Sequence, residues 1–108
     1  MQEFYDIDLE NAVFEWDDEK DQINFAKHGI HFKTAVKVFL DPKILICKDA
    51  EHSKELRYDI LGHAGKILFV VCTIRRQNVI RLISARLATS YEKKRYEYDE
   101  DDFERIKQ

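Results

Sequence analysis

The 108-residue chain is 44% hydrophobic and 36% charged, a composition that builds one globular domain with a modest core and excludes a disordered chain. No apolar run approaches the ~20 residues of a membrane span, and the acidic opening MQEFYDIDLE lacks the basic and apolar regions of a secretory signal. The net charge of −3 conceals a division along the chain, with −8 over residues 1–26, +2 over 27–56, +7 over 57–96 and −4 over 97–108, so a basic middle can act locally on a polyanion.

Residues 1–12 show no clear periodicity and read as a lead-in. Val13–Trp16 reads as a short strand. Asp17 or Asp18 can cap a helix over about Glu19–His28, because a carboxylate accepts from the orphan N–H groups of the first turn. This helix is expected to bury Ile23 and Ala26 and to end at Gly29 as its C′ residue, with Lys27 and His28 at the negative end of its dipole. A second helix over Lys33–Leu40 places Phe32, Ala35, Val36 and Phe39 on one face, and Asp41-Pro42 ends it.

Ile44–Lys48 reads as a strand and Asp49–Lys54 as a polar loop. Leu56–His63 alternates, with Leu56, Tyr58 and Ile60 on one side and Arg57, Asp59 and His63 on the other. Gly62–Lys66 turns the chain into two β-branched and aliphatic runs, Ile67–Ile74 and Val79–Ala85, separated by a polar break. They read as a hairpin. With Gln77-Asn78 as the turn, Arg76 faces Val79. One face then carries Thr73, Arg75, Ser84 and Arg86 beside Phe69, Val71, Ile80 and Leu82. The other carries Leu68, Val70, Cys72, Ile74, Ile83 and Ala85 and is the core face. Arg81 falls on the core side in this register; a β-bulge would move it across.

Cys47 and Cys72 lie in apolar runs and read as buried, reduced thiols. Thr89 and Glu92 match a capping box, opening a helix of about 15 residues with Tyr91, Arg95 and Tyr98 on one side, extended by Phe103 or Ile106. Its end, Asp99–Asp102, is strongly acidic. The order β-α-α-β-β-β-β-α describes an α+β domain, an antiparallel sheet with helices on one face and the hairpin's arginines on the other. Two arginines and two hydroxyls on that open face make an anion seat.

FEWDDEK at 14–20, Asn24, KHGIHF at 27–32, Ala35, VF at 38–39 and DP at 41–42 form one block; ELRYDILG at 55–62 and LFVVCTIR through IRLISARLA at 68–88 form a second. Together they resemble the BrnT family of type II toxin–antitoxin toxins. The resemblance covers residues 14–96 of a single domain over 1–108, leaving an acidic tail at 97–108. It implies a RelE-like fold with two N-terminal helices and a C-terminal helix, and ribonuclease activity. It also implies a BrnA-like antitoxin as partner, with operator DNA bound only through the complex. A cytoplasmic protein with no membrane partner is expected.

RNA can be cut without a metal, because its 2′-OH can attack the adjacent phosphate. The protein must then remove a proton and stabilise charge on that phosphate, a task suited to arginine forks. Arg75 and Arg86 take this role, with Arg57 as a third contact. For acid–base work the candidates are His28, Lys27, Glu55 and Tyr96, histidine titrating nearest neutrality. The resemblance carries over Lys27, His28 and Arg57 most directly. Arg76, Arg81, Ser84, Lys93 and Lys94 are expected to bind RNA. His28 and His31 stand at i, i+3, but no carboxylate or cysteine completes a metal site at a familiar spacing, and no cofactor is expected. Two functions compete: a metal-independent endoribonuclease toxin that inhibits translation and growth, and a non-catalytic module acting only in antitoxin binding and operon control.

Overall fold

Short connections favour pairing of sequential apolar runs, and the runs between residues 45 and 87 pair in chain order. The computed structural model describes residues 8–49, 57–76, 78–98 and 104–105. In it β2 (Leu45–Asp49), β3 (Arg57–Ala64), β4 (Lys66–Arg76) and β5 (Val79–Leu87) form an antiparallel meander. The sheet is completed by β1 (Val13–Glu15) beside β5 and β6 (Glu104–Arg105) beside β2, in the order β1-β5-β4-β3-β2-β6. β1 runs parallel to β5, which makes the sheet mixed instead of wholly antiparallel. Parallel neighbours need a long crossover, and here a helical stretch and the meander intervene.

Helix α1 (Asp18–His28) is capped by Asp17, whose side chain accepts from the N–H groups of Glu19 and Lys20. It ends at Gly29 with φ 72°, a left-handed position suited to glycine. The expected burial does not occur: Ile23 is 55% exposed and Ala26 is also exposed. The helix is instead docked by Asn24, its one buried residue. The Asn24 carboxamide donates to the carbonyls of Ile30 and Ala85, at 2.9 and 2.8 Å, and accepts from the Ala85 N–H at 3.1 Å. β1 covers β5 only from Val79 to Arg81, so this side chain completes the strand edge further along, as a neighbouring peptide would. A buried amide with such partners is satisfied.

Asp21 holds the next segment by accepting from the Phe32 N–H at 2.7 Å and contacting His31 Nδ1 at 3.2 Å. α2 (Phe32–Ala35) continues as a 3-10 helix over Val36–Leu40, covering the predicted span in two pieces. Phe32, Ala35, Val38 and Phe39 are buried and Val36 packs at the margin. β3 reaches Ala64, so only Gly65, at φ 78°, separates it from β4. Gly62 allows the 3-10 helix to approach β3: a Cβ there would lie 2.7 Å from the Val38 Cβ.

The core on the α1–α2 side gathers Phe32, Val38, Ile44, Ile60, Val70, Ile80 and Leu82. A second cluster unites Leu45, Leu61, Ala88 and Tyr96 with Ile67 and Phe69. Leu61, Ile67 and Phe69 point to the other side of the sheet, so helix α3 (Ser90–Tyr98) covers that side. Helices therefore lie on both faces, not one. An apolar patch at that end of the open face needs cover, and Tyr96 supplies it. The capping box is formed, with the Glu92 N–H donating to Thr89 Oγ1 and the Thr89 N–H to Glu92 Oε1. α3 spans 9 residues instead of about 15, and Glu104–Arg105, at the end of the expected helix, pair with β2 as strand β6. The expected continuation through Asp99–Asp102, Phe103 and Ile106 lies outside the described residues, as do residues 1–7, positions 50–54 of the polar loop, Glu55, Leu56 and Gln77.

Asp41 ties α3 to the sheet. Its carboxylate accepts from the Lys43 and His63 N–H groups and from the Tyr96 hydroxyl. Burial raises the Asp41 pKa, but the Tyr96 and backbone hydrogen bonds outweigh it and hold the carboxyl below its ordinary range.

Candidate functional site

The hairpin builds its site through two irregularities. From Leu68↔Leu87 to Val71↔Ser84 the register is the expected one, and Arg76↔Val79 closes the tip as expected. Between them the pairs are Cys72↔Leu82, Thr73↔Arg81 and Ile74↔Ile80, leaving Ile83 and Arg75 as extra residues. The one-residue slip exchanges the faces of this stretch of β5. Ile80 and Leu82 enter the core at 0% and 2% exposure, while Ile83 is only partly buried. Arg81 leaves the core side and stands opposite Thr73.

The open face consequently carries ordered rows. Arg57, Thr73, Arg81 and Glu15 line up across β3, β4, β5 and β1; Asp59, Val71 and Ser84 form the next row; Leu61, Phe69 and Arg86 form the third. Arg75 and Arg76 stand at the hairpin tip. Three guanidinium groups converge on Glu15: Arg81 Nη1 at 3.2 Å, Arg76 Nη2 at 3.7 Å and Arg75 Nε at 3.8 Å. Glu15 retains 27% side-chain exposure, and the three arginines range from 30% to 69%.

Arg86 belongs to a separate clamp. Its Nη1 and Nη2 donate to Glu92 Oε1 and Oε2 at 2.8 and 2.9 Å, and its guanidinium lies 4.2 Å from the centre of the Phe69 ring. Such a bidentate pair fixes the plane of the fork. The Glu92 hydrogen bond raises the Arg86 pKa above its ordinary value against the effect of burial, with Asp59 adding a smaller contribution. Burial pushes the Glu92 carboxyl up, but Arg86 and Thr89 together hold it below its ordinary range.

Other expected site residues lie elsewhere. Lys27 is exposed in the last turn of α1. His28 lines a cavity of about 500 Å³ with His31, Thr34, Lys66, Leu68 and Leu87. Lys66 is seven residues from Thr73, roughly 20 Å along β4. Lys93 lines a cavity of about 720 Å³ with Lys43, His63 and Lys66, and Lys94 is exposed on α3. Tyr96 is 8% exposed and donates to Asp41. The structure thus brings Arg57, Arg75, Arg76, Arg81, Ser84 and Arg86 onto one face, without Lys27 and His28. Ser84 supplies a hydroxyl between the two arginine groups. Cys72 is fully buried in the core, and burial followed by the Asp59 charge pushes its thiol far up. Cys47 is partly buried, and neither cysteine is in a disulfide.

Sequence reasoning missed Glu15 as a member of this face, set Asp59 on the side of Arg57 without giving it a role, and took Glu92 only as a helix cap. The alternation Val13-Phe14-Glu15-Trp16 was the available signal, since it sets Glu15 opposite Phe14. Its partners could not be read locally. Arg81 is 66 positions away.

Residues 16–92 match the family model described as "Ribonuclease toxin, BrnT, of type II toxin-antitoxin system". The chain belongs to this BrnT family. The matched stretch takes in all five arginines of the open face and Glu92. It begins one residue after Glu15. The fold is similar to the 1.1 Å crystal structure of the Brucella abortus ribonuclease toxin BrnT, with a TM-score of 0.61 and 24% identity, over 74% of this chain and 100% of that one. No curated protein matches the chain. Among the described residues, no helix is long and apolar enough to cross a membrane. BrnT membership makes the arginine face the natural place to seek ribonuclease chemistry.

Proposed function

We propose that the chain is a metal-independent endoribonuclease toxin that cuts RNA in the cytoplasm and so inhibits translation and growth. The observation that carries this reading is the row of arginines on an open sheet face, two of whose bulges serve to put Arg75 and Arg81 together. A single RNA strand needs an open cationic surface, not a deep cavity. Arg75, Arg81 and Arg57 hold the scissile phosphate, Arg86 the neighbouring one, and Arg76, Ser84, Lys93 and Lys94 the flanking backbone. The 2′-oxygen attacks phosphorus and the 5′-oxygen departs, leaving a 2′,3′-cyclic phosphate and a 5′-hydroxyl. Arginines oriented beforehand stabilise the charge that builds on phosphorus. Lys27 and His28 serve as the C-terminal turn of α1.

A BrnA-like antitoxin neutralises the chain by covering this face, and operator DNA is reached only through the complex. The non-catalytic alternative draws support from Glu15 and Glu92, which already engage four of the five arginines. Induction without the antitoxin, followed by primer extension on total RNA, separates the two. Growth arrest with new RNA ends, absent with Arg86→Ala and undiminished when the purified chain is assayed in EDTA, supports the enzyme. A folded, soluble chain that produces neither arrest nor new ends supports the binding module.

A further inference from the structure

A ribonuclease of this kind needs a proton acceptor beside its arginines, and the expected one is not there. Of the described histidines, His28 and His31 line one cavity and His63 the other, both at the far end of the sheet. Tyr96 is engaged by Asp41 and Cys72 is buried in the core. Thr73 and Ser84 offer only hydroxyls, which are poor bases near neutrality. Among the described residues, the acceptors on the arginine face are therefore the carboxylates of Glu15, Asp59 and Glu92.

They are not equivalent. Both Glu92 oxygens receive Arg86, and Oε1 also receives the Thr89 N–H. Asp59 sits one row away from Arg57, Thr73 and Arg81, opposite Val71. Glu15 ends that first row in register with Arg81. It receives one close hydrogen bond, from Arg81 at 3.2 Å, while Arg75 and Arg76 stand at 3.8 and 3.7 Å. A guanidinium has donors on more than one edge. Arg81 and Arg75 can therefore hold a phosphate while still facing Glu15, which sets the carboxylate beside the 2′-hydroxyl of the nucleotide they clamp.

We propose that Glu15 is the catalytic general base of the RNA cleavage step. The proposal rests on the ribonuclease reading above. Glu15 takes the proton from the 2′-hydroxyl as the O2′–P bond forms; the P–O5′ bond breaks with its electron pair, and the 5′-oxygen takes a proton from water. The same arginines that neutralise the phosphate keep Glu15 in place. A carboxylate held at a fixed short distance can serve as the base, because geometry comes before basicity.

The test is single-turnover cleavage of a short RNA over a range of pH by the whole chain and its Glu15→Gln form, with circular dichroism to verify folding. Binding is measured in parallel on the same RNA carrying a 2′-O-methyl group at the cut site. Glu15→Gln is expected to lower the cleavage rate roughly 10²- to 10⁴-fold with binding unchanged or tighter. Its residual rate should climb tenfold per pH unit, because hydroxide must replace the lost base. Glu15→Asp, which retains a carboxylate, should recover part of the rate and the original pH profile. Equal loss of binding and cleavage would make Glu15 only an organiser of the arginines and overturn the proposal. So would an unchanged rate, or the pH signature appearing with Asp59→Asn instead. If the unaltered chain cuts no RNA, the ribonuclease reading falls and Glu15's role with it; if it cuts and Glu15→Gln cuts equally, only the role of Glu15 falls.

Discussion

The two ends of the sheet differ in how they hold charge. At the hairpin tip, arginines are positioned by strand register and matched by Glu15. At the far end, where β3 turns into β4, lysines and histidines border two cavities with apolar walls: His28 and His31 in one, Lys43, His63 and Lys93 in the other, and Lys66 in both. Lys66 and Lys93 form no ion pair with any described residue. A flexible, strongly hydrated ammonium attracts a polyanion without orienting it, whereas a planar guanidinium fixed by a carboxylate presents a defined geometry. Catalysis needs the second property, and binding can use either.

The contrast is broken most directly by paired substitutions. Arg75→Ala with Arg81→Ala should lower single-turnover cleavage by about 10²- to 10³-fold, while His28→Ala remains within about twofold. A reversed result would return the chemistry to the α1 end. The two ends also depend differently on their supports. Asn24→Leu strands the backbone groups of Ala85 and the Ile30 carbonyl, and should cost on the order of 3 kcal/mol in urea unfolding. Cleavage below the unfolding midpoint should persist if the arginine face is independent of α1 docking.

Gly62→Ala drives a Cβ against Val38 and should cost about 1–3 kcal/mol, read as a lower thermal midpoint with little change in RNA affinity. The smallest effect concerns acid. Asp41 and Glu92 both have folded-state pKa values below their ordinary ones. Their stabilisation is therefore complete above a pH of about 5 and disappears as pH falls through the folded values. Asp41→Asn should destabilise by about 1 kcal/mol near neutrality, and the difference from the unaltered chain should close on acidification. A constant difference across the acid range would show that its hydrogen bonds do not depend on ionisation.

The elements most legible in the sequence were those whose cause is local. Asp17 caps α1 three positions before the N–H of Lys20, Gly29 ends it, and Thr89 and Glu92 close a four-residue box; each involves neighbours in the chain. The hairpin's two ends were also legible, because the turn and alternation define them. The buried face of α1 was not. An apolar-stripe argument looks for Ile23 and Ala26, whereas the docking residue is a polar Asn24 bonded to a strand 61 positions away. The arginines of the candidate site were legible as a set, whereas their distance from KHG was not: His28 lines the cavity beside Lys66, and Arg57 pairs with Thr73 toward the other end of β4.

By itself, then, the sequence determined five of the six strands, the positions of the helices, the caps, the basic middle and the family to which the chain belongs. Tertiary structure alone decided that Arg81 faces outward, that α3 covers the opposite face, and that Glu15 meets three arginines. Local spacing cannot decide such matters. A one-residue bulge exchanges the faces of a strand, and whether the bulge forms depends on which side chains the rest of the fold can bury.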